Sequence, residues 1–148
     1  MNVEEIIKTT KKIPLEPRTA IHMELVNNKV NEIMTAALKP FEVSMQQFNV
    51  LRILRGQKGK PANLSTLNER MVTKMSNTTR LVDKLLAKGF VNRTVCPSNR
   101  RKVEIVITET GLKALDQMDK ALSKAHKVIF KNFDNKELEQ LNTLLDKF

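Results

Sequence analysis

Tryptophan and tyrosine are absent from this 148-residue chain, and six phenylalanines are its only aromatic residues. Proteins that hold single-stranded nucleic acid rely on rings that stack on bases. Any nucleic-acid partner is therefore expected to be duplex DNA rather than RNA or a single strand. One cysteine, Cys96, excludes an internal disulfide and fits a reducing compartment. No apolar run approaches the roughly 20 residues of a membrane-spanning helix. The N-terminus, with Glu4 and Glu5, lacks a basic-then-apolar signal pattern. A cytoplasmic chain with no membrane partner is expected. His22 and His126 are the only histidines, and with one distant cysteine they form no metal-ligand cluster, so no metal or cofactor is expected. Nor is there a glycine-rich phosphate loop, a supported Ser/His/Asp arrangement or an isolated acid pair in an apolar setting. Catalysis is not expected.

Acidic residues are scarce where basic ones are dense. Between residues 70 and 102 nine lysines and arginines face Asp83 alone, whereas residues 103–148 hold seven basic and eight acidic groups. Most of the formal net charge of +10 thus lies on one stretch. Such a patch attracts polyanions and makes their binding salt-dependent. A solvated basic face or a membrane-surface patch is the plainer alternative, but neither explains why the charge coincides with the structural pattern found there.

That pattern is a helix, a stop and a ribbon. Thr73 is a good N-cap, since its hydroxyl can accept from a first-turn N–H, and Gly89 stands where a left-handed residue ends a helix. The spacing predicts a helix over Lys74–Lys88, with Thr78, Leu81, Val82 and Leu85 on one face and Thr73, Ser76, Asn77, Arg80 and Lys84 on the other. Before it, Asn63 caps a shorter helix from Leu64 to about Met71. Two short helices joined by a tight turn, the second with a cationic polar face, form a helix-turn-helix. After it, Val91, Arg93 and Val95 alternate with Asn92, Thr94 and Cys96, and Val103, Ile105 and Ile107 alternate with Lys102, Glu104 and Val106. Pro97-Ser98-Asn99-Arg100 is turn-like. A helix-turn-helix followed by a hairpin with Arg100 and Arg101 at its tip is a winged helix, and such a tip can enter a minor groove.

The flanks are helical as well. Residues 1–12 are weakly patterned, a short helical arm or a disordered one. Pro14 and Pro17 precede a long helix whose apolar positions, Ile21, Leu25, Val30, Ile33, Met34 and Ala37, repeat at helical spacing until Pro40. Ser44-Met45-Gln46-Gln47 is a capping box with Val43 and Phe48 at the staple positions. Its helix runs to about Arg55. Thr108 caps a long helix to about Lys131 with the stripe Leu112, Leu115, Met118, Leu122, Ala125 and Ile129. Asp134 and Glu137 open a last helix bearing Leu138, Leu141, Leu144, Leu145 and Phe148.

Length and pattern together predict a single domain, 1–148: mainly α with a small β-hairpin wing, the winged helix-turn-helix at about 44–108 and long dimerisation helices at about 14–39 and 108–148. The flanking stripes could pack on the winged unit instead. A homodimer is preferred, because little chain remains to cover Leu138, Leu141, Leu144, Leu145 and Phe148. Two-fold symmetry would then present two reading helices to successive major grooves.

Three stretches carry a resemblance: Gln47-Phe48-Asn49-Val50-Leu51-Arg52-Ile53-Leu54; Thr79-Arg80-Leu81-Val82-Asp83-Lys84-Leu85 through Lys88-Gly89-Phe90-Val91; and Asn99-Arg100-Arg101 through Ile107-Thr108-Glu109-Thr110-Gly111. In order and spacing the chain resembles the multiple antibiotic resistance regulator (MarR) family over nearly its whole length. The last stretch matches the family's wing motif, Asp-x-Arg-x5-Leu-Thr. Asn99 stands in place of the aspartate that orients the wing arginine, here Arg101, and Ile107 stands in place of leucine. The resemblance implies a homodimeric winged-helix transcription factor, usually a repressor, released from DNA by a small aromatic ligand or an oxidant. It also implies a pocket between the dimer helices and the winged unit. Met23, Met34, Met45 and Phe48 are candidates to line one, Met45 and Phe48 foremost, against the plainer reading of a Met stripe as core.

Ser76, Asn77 and Arg80 are expected at base edges, asparagine suiting adenine and arginine suiting guanine. Thr73, Lys74 and Lys84 are expected on phosphates, with Thr79 beside them and Arg100 and Arg101 in the minor groove. Cys96, at the wing base, could be favoured as thiolate by Arg93 and Arg100, although a strand residue without a role is the simpler reading. The leading expectation is a sequence-specific regulator bound to a pseudo-palindromic operator. The alternatives are a winged-helix protein-interaction module and a non-specific architectural DNA binder.

Overall fold

The computed structural model describes residues 1–74 and 77–148, with Arg100 and Arg101 described by backbone alone. A short helix, α1 (Val3–Ile6), leads into the long α2 (Leu15–Leu38) and a 3-10 turn, Lys39–Phe41. The winged unit follows as α3 (Met45–Gly56), α4 (Leu64–Arg70), α5 (Thr78–Ala87) and the antiparallel strands β1 (Val91–Cys96) and β2 (Asn99–Ile107). Two more helices close the chain, α6 (Glu109–Ile129) and α7 (Asn135–Leu145). This is the mainly helical winged architecture expected from the pattern.

Local chemistry sets most of these starts. The Ser44 hydroxyl accepts from the Gln47 amide while the Gln47 side chain accepts from the Ser44 amide, closing the capping box on α3. Asp134 and Glu137 make the same reciprocal pair on α7. Asn63 caps α4 through the Thr66 amide, and Thr108 caps α6 through the Gly111 amide. At the N-terminus Glu4 receives two bonds from Arg18, at 2.7 and 3.1 Å, which tie α1 to α2. Hydrogen bonding from that guanidinium holds the Glu4 carboxyl below its usual range.

One apolar cluster joins the winged unit to its flanks. Leu51 and Leu54 of α3, Leu67 of α4, Val82 and Leu85 of α5, Ile105 of β2, and Leu115 and Met118 of α6 are all buried in it. Leu38 and Met34 from the end of α2 complete it. Across the surface of this core Arg55 of α3 reaches Asp119 and Asp116 of α6 at 2.5 and 3.5 Å. The α6 stripe is therefore largely used within the chain: Leu115, Met118, Leu122 and Ala125 are buried, while Leu112 lies 37% exposed at its edge. The last helix differs. No residue of α7 is buried, Leu138 is half-buried, and Leu144 and Leu145 stand 58% and 45% exposed with Phe148 beyond them at 92%.

The hairpin is fixed at its base and loosened at its tip. Val91 lies opposite Ile107, Arg93 opposite Ile105 and Val95 opposite Val103. Ile105 also exchanges two backbone bonds with Ala62, at 2.8 and 2.9 Å, so the loop before α4 adds a single bridge along the outer edge of β2. Beyond Val95 the register shifts: Cys96 lies opposite Asn99, and residues 100–102 fall between the two rungs as extra length on β2.

Where α6 meets the hairpin the backbones nearly touch. A Cβ added at Gly111 would lie 2.1 Å from the Phe90 carbonyl oxygen, whereas one at Gly56 would meet nothing within 4 Å. Gly111→Ala is expected to cost about 1–3 kcal/mol through forced backbone movement. Gly56→Ala, at a helical position of ordinary φ, should gain about 0.4–1 kcal/mol from reduced unfolded-state freedom. Urea unfolding midpoints of the two variants, moving in opposite directions from the wild-type value, check the pair.

Candidate nucleic-acid interface

The exposed face of α5 and the adjoining hairpin form the basic surface of the molecule. Amphipathic spacing turns Thr78, Val82 and Leu85 into the core and leaves Thr79, Arg80, Asp83 and Lys84 exposed. Gly89, at φ +71°, ends the helix in the left-handed conformation expected of it.

The start of the helix departs from the sequence expectation. Thr73 does not cap it and Lys74 is not its first residue: α5 begins at Thr78, with Asn77 in the cap position and no side-chain cap bond. Thr73 and Lys74 lie in the exposed turn between α4 and α5. The physical reason is long-range. Lys74 Nζ donates to the Asn68 and Glu69 carbonyls at 3.1 and 2.8 Å, at the end of α4 where helix carbonyls lack partners. The Thr78 hydroxyl donates to Asn68 Oδ1. These contacts draw residues 73 and 74 back over α4, outweighing the local capping propensity of Thr73. Ser76, expected at a base edge, lies outside the described residues.

Asn68 was not among the expected site residues, although its signal was in the sequence. Thr78 falls on the buried face, and a buried hydroxyl requires a partner. Asn68, on the preceding helix, supplies it.

The basic charge is less available than its count suggests. Lys74 is held by backbone carbonyls. Lys88 reaches Glu42 at 3.4 Å, and Arg93 reaches Asp83 at 2.5 Å. Among the described residues Arg70, Arg80, Lys84 and Lys102 enter no ion pair and stand exposed, with Arg80 and Lys84 on α5 itself. Arg100 and Arg101 are placed by their backbone in the extra length at the wing tip, and their side chains lie outside the described residues. Cys96 is half-buried at the far end of β1, opposite Asn99 and beside the turn, and not at the base of the wing expected from the sequence. Its thiol is shifted below the ordinary value, first by the Ser98 hydroxyl 3.1 Å away and then by the Ser98 backbone.

Three of the four candidate pocket-lining residues fall in or against the core. Phe48 is buried there and Met45 packs against it, and neither borders the open surface concavities that lie along α2 and before its start. Met34 is a core residue and Met23 is exposed.

A helix-turn-helix with a cationic face, braced by a hairpin with a basic tip, is a winged-helix DNA-binding unit. Known proteins agree. The MarR family profile matches residues 43–103. The uncharacterized HTH-type transcriptional regulator YpoP of Bacillus subtilis is 30% identical over 83% of this chain and 80% of its own. The multiple antibiotic resistance protein MarR of Escherichia coli is 29% identical over 86% of each chain. A solved structure of a mutant of that MarR, complexed with operator DNA, superposes with a TM-score of 0.77 at 25% identity, covering 97% of this chain and 95% of that one. The chain belongs to the MarR family and is a DNA-binding transcriptional regulator.

The Asn68–Thr78 bond is open to direct test. Asn68→Ala should cost about 1–3 kcal/mol by leaving the buried Thr78 hydroxyl unsatisfied. Asn68→Leu combined with Thr78→Val, which removes both partners, should cost much less. Denaturant titration of the two variants decides between this and a bond that carries no weight, in which case Asn68→Ala would melt with the wild type.

Proposed function

We infer that the chain is a repressor that binds a pseudo-palindromic operator as a homodimer, with α5 in the major groove, the wing in the minor groove, and release by a small aromatic ligand or an oxidant. The observation that carries this reading is the exposed face of α5. Arg80 and Lys84 project from it without an ion-pair partner among the described residues, beside Thr79 and Asn77. Arg80 and Asn77, with Ser76, read base edges, while Lys84, Thr79, Thr73, Arg100 and Arg101 hold the backbone and wing in register. The Lys74 ammonium, engaged by α4, keeps at most a secondary share in phosphate binding.

The dimer rests on the other end of the molecule. Leu141, Leu144, Leu145 and Phe148 are exposed together on and after α7, and an apolar patch of this kind marks an association surface. Leu138 borders it. Pairing two copies there sets two reading helices on one face of a duplex, about one helical turn apart. Release follows where a ligand or oxidant alters that spacing. Met45 and Phe48 contribute only if an aromatic ligand enters between α3 and the core, and Cys96 is the oxidant's one thiol target.

Selection of a duplex from a random pool, followed by mobility shifts with Arg80→Ala, tests the DNA reading. The variant should bind the selected sequence about 10- to 100-fold more weakly, the loss of roughly 1–3 kcal/mol of base discrimination. An Arg80→Ala chain that keeps wild-type affinity would refute the assignment. No selected sequence, with equal affinity for all duplexes, points instead to an architectural binder, and no duplex binding to a protein-interaction module.

Sedimentation addresses the dimer separately. The wild-type chain at micromolar concentration should sediment as a dimer, and Leu144→Asp with Leu145→Asp as a folded monomer. A monomeric wild type removes the dimer from the reading and leaves the DNA assignment to its own test.

A further inference from the structure

Asp83 is the only acidic residue among residues 70–102, and it lies on the exposed face of α5 with Arg80 three residues before it and Lys84 beside it. On a helix, a carboxylate and a guanidinium three residues apart are neighbours. Asp83 is thus within reach of the arginine that the DNA reading depends on. In the structure it is bound elsewhere. Its Oδ1 accepts from Arg93 Nη1 at 2.5 Å, across the gap between α5 and β1, and Arg80 makes no ion pair among the described residues.

Arg93 reaches from a fixed point. Its partner across the hairpin is Ile105, which is fully buried and held by two backbone bonds to Ala62. The base of the arginine is therefore set by the sheet, while its tip meets the reading helix. The two side chains are 52% and 40% exposed, and exposed ion pairs of this kind contribute little to stability. The value of the bond lies in what it prevents.

We propose that Arg93 is a positioning residue of the DNA interface: by occupying Asp83 it keeps Arg80 free to read bases and ties the wing base to the reading helix. Arg93 then touches no phosphate, although it belongs to the basic stretch. The inference rests on the DNA-binding reading above and adds the division of labour within it.

The test uses the selected duplex and a random-sequence duplex with three full-length chains: wild type, Arg93→Gln, and Asp83→Asn with Arg93→Gln. Arg93→Gln leaves Asp83 to draw on Arg80, so affinity for the selected duplex should fall at least about tenfold. Its salt slope on the random duplex should stay at the wild-type value, because no phosphate contact is lost. Removing the carboxylate as well should restore affinity to within about threefold of wild type.

A slope reduced by about 0.9 per protomer, roughly 1.8 for a bound dimer, with no rescue makes Arg93 a direct phosphate contact and overturns the proposal. Wild-type affinity in Arg93→Gln overturns it as an idle pair. Equal loss in both variants, accompanied by lowered melting temperatures, overturns it as a merely structural brace. Failure of the DNA-binding reading is seen earlier and separately, in a wild-type chain that prefers no sequence, and the proposal falls with it.

Discussion

The carbonyl of Phe90 is where the molecule is joined. It accepts the Thr108 amide at 3.0 Å, and the Thr108 hydroxyl donates to the neighbouring Gly89 carbonyl at 2.7 Å while also capping α6. Gly111 lies so close to the same carbonyl that no side chain fits between. Three elements meet in these few bonds: the end of α5, the first strand of the wing, and the long helix that leads to α7. The close approach packs the first turn of α6 directly on the backbone that joins α5 to β1, with no side chain between them. Interiors packed at crystal-like density leave such a joint little room to give.

A second constraint operates on the opposite side of α5. The Asn68 side chain and the carbonyls at the end of α4 draw in Thr78 and Lys74, so that the turn of the helix-turn-helix is stitched by side chains rather than by a local cap. Helix α5 is thus held at both ends by neighbouring elements. Its exposed face is bonded within the chain through the Asp83–Arg93 pair, while Thr79, Arg80 and Lys84 stand exposed beside it.

Much of this was legible in the sequence wherever the deciding contacts are local. The capping boxes at Ser44 and Asp134, the caps at Asn63 and Thr108, the stop at Gly89 and the alternation of Val91 and Ile105 all involve partners within a few residues or one strand register. The buried set of α5 followed from period alone. What misled was the start of α5. Thr73 has the chemistry of a cap, but its segment answers to α4 through contacts five to ten residues apart, which no capping rule weighs. The charge count misled in the same way. Nine cations against one acid looks like a uniformly available patch, yet Glu42, far off in sequence, takes Lys88, and helix carbonyls take Lys74. The long flanking stripes were ambiguous from the outset, since helical period shows that a face is covered and not by what. The structure divides them, α6 facing inward and α7 open.

The register shift in the hairpin has a bearing on how such a molecule can change. The regular rungs of the wing end at Val95: those to Val103, Ile105 and Ile107, together with the bridge to Ala62, lie at or below it, and only the shifted Cys96–Asn99 pairing lies beyond. The extra residues of β2 lie above them. Lengthening or shortening the chain there alters how far the tip extends without moving a single anchored rung, and without reversing which strand residues face the core. Evolution can therefore adjust the reach of the wing by insertion and deletion, independently of α5, which admits change only by substitution because both of its ends are tied.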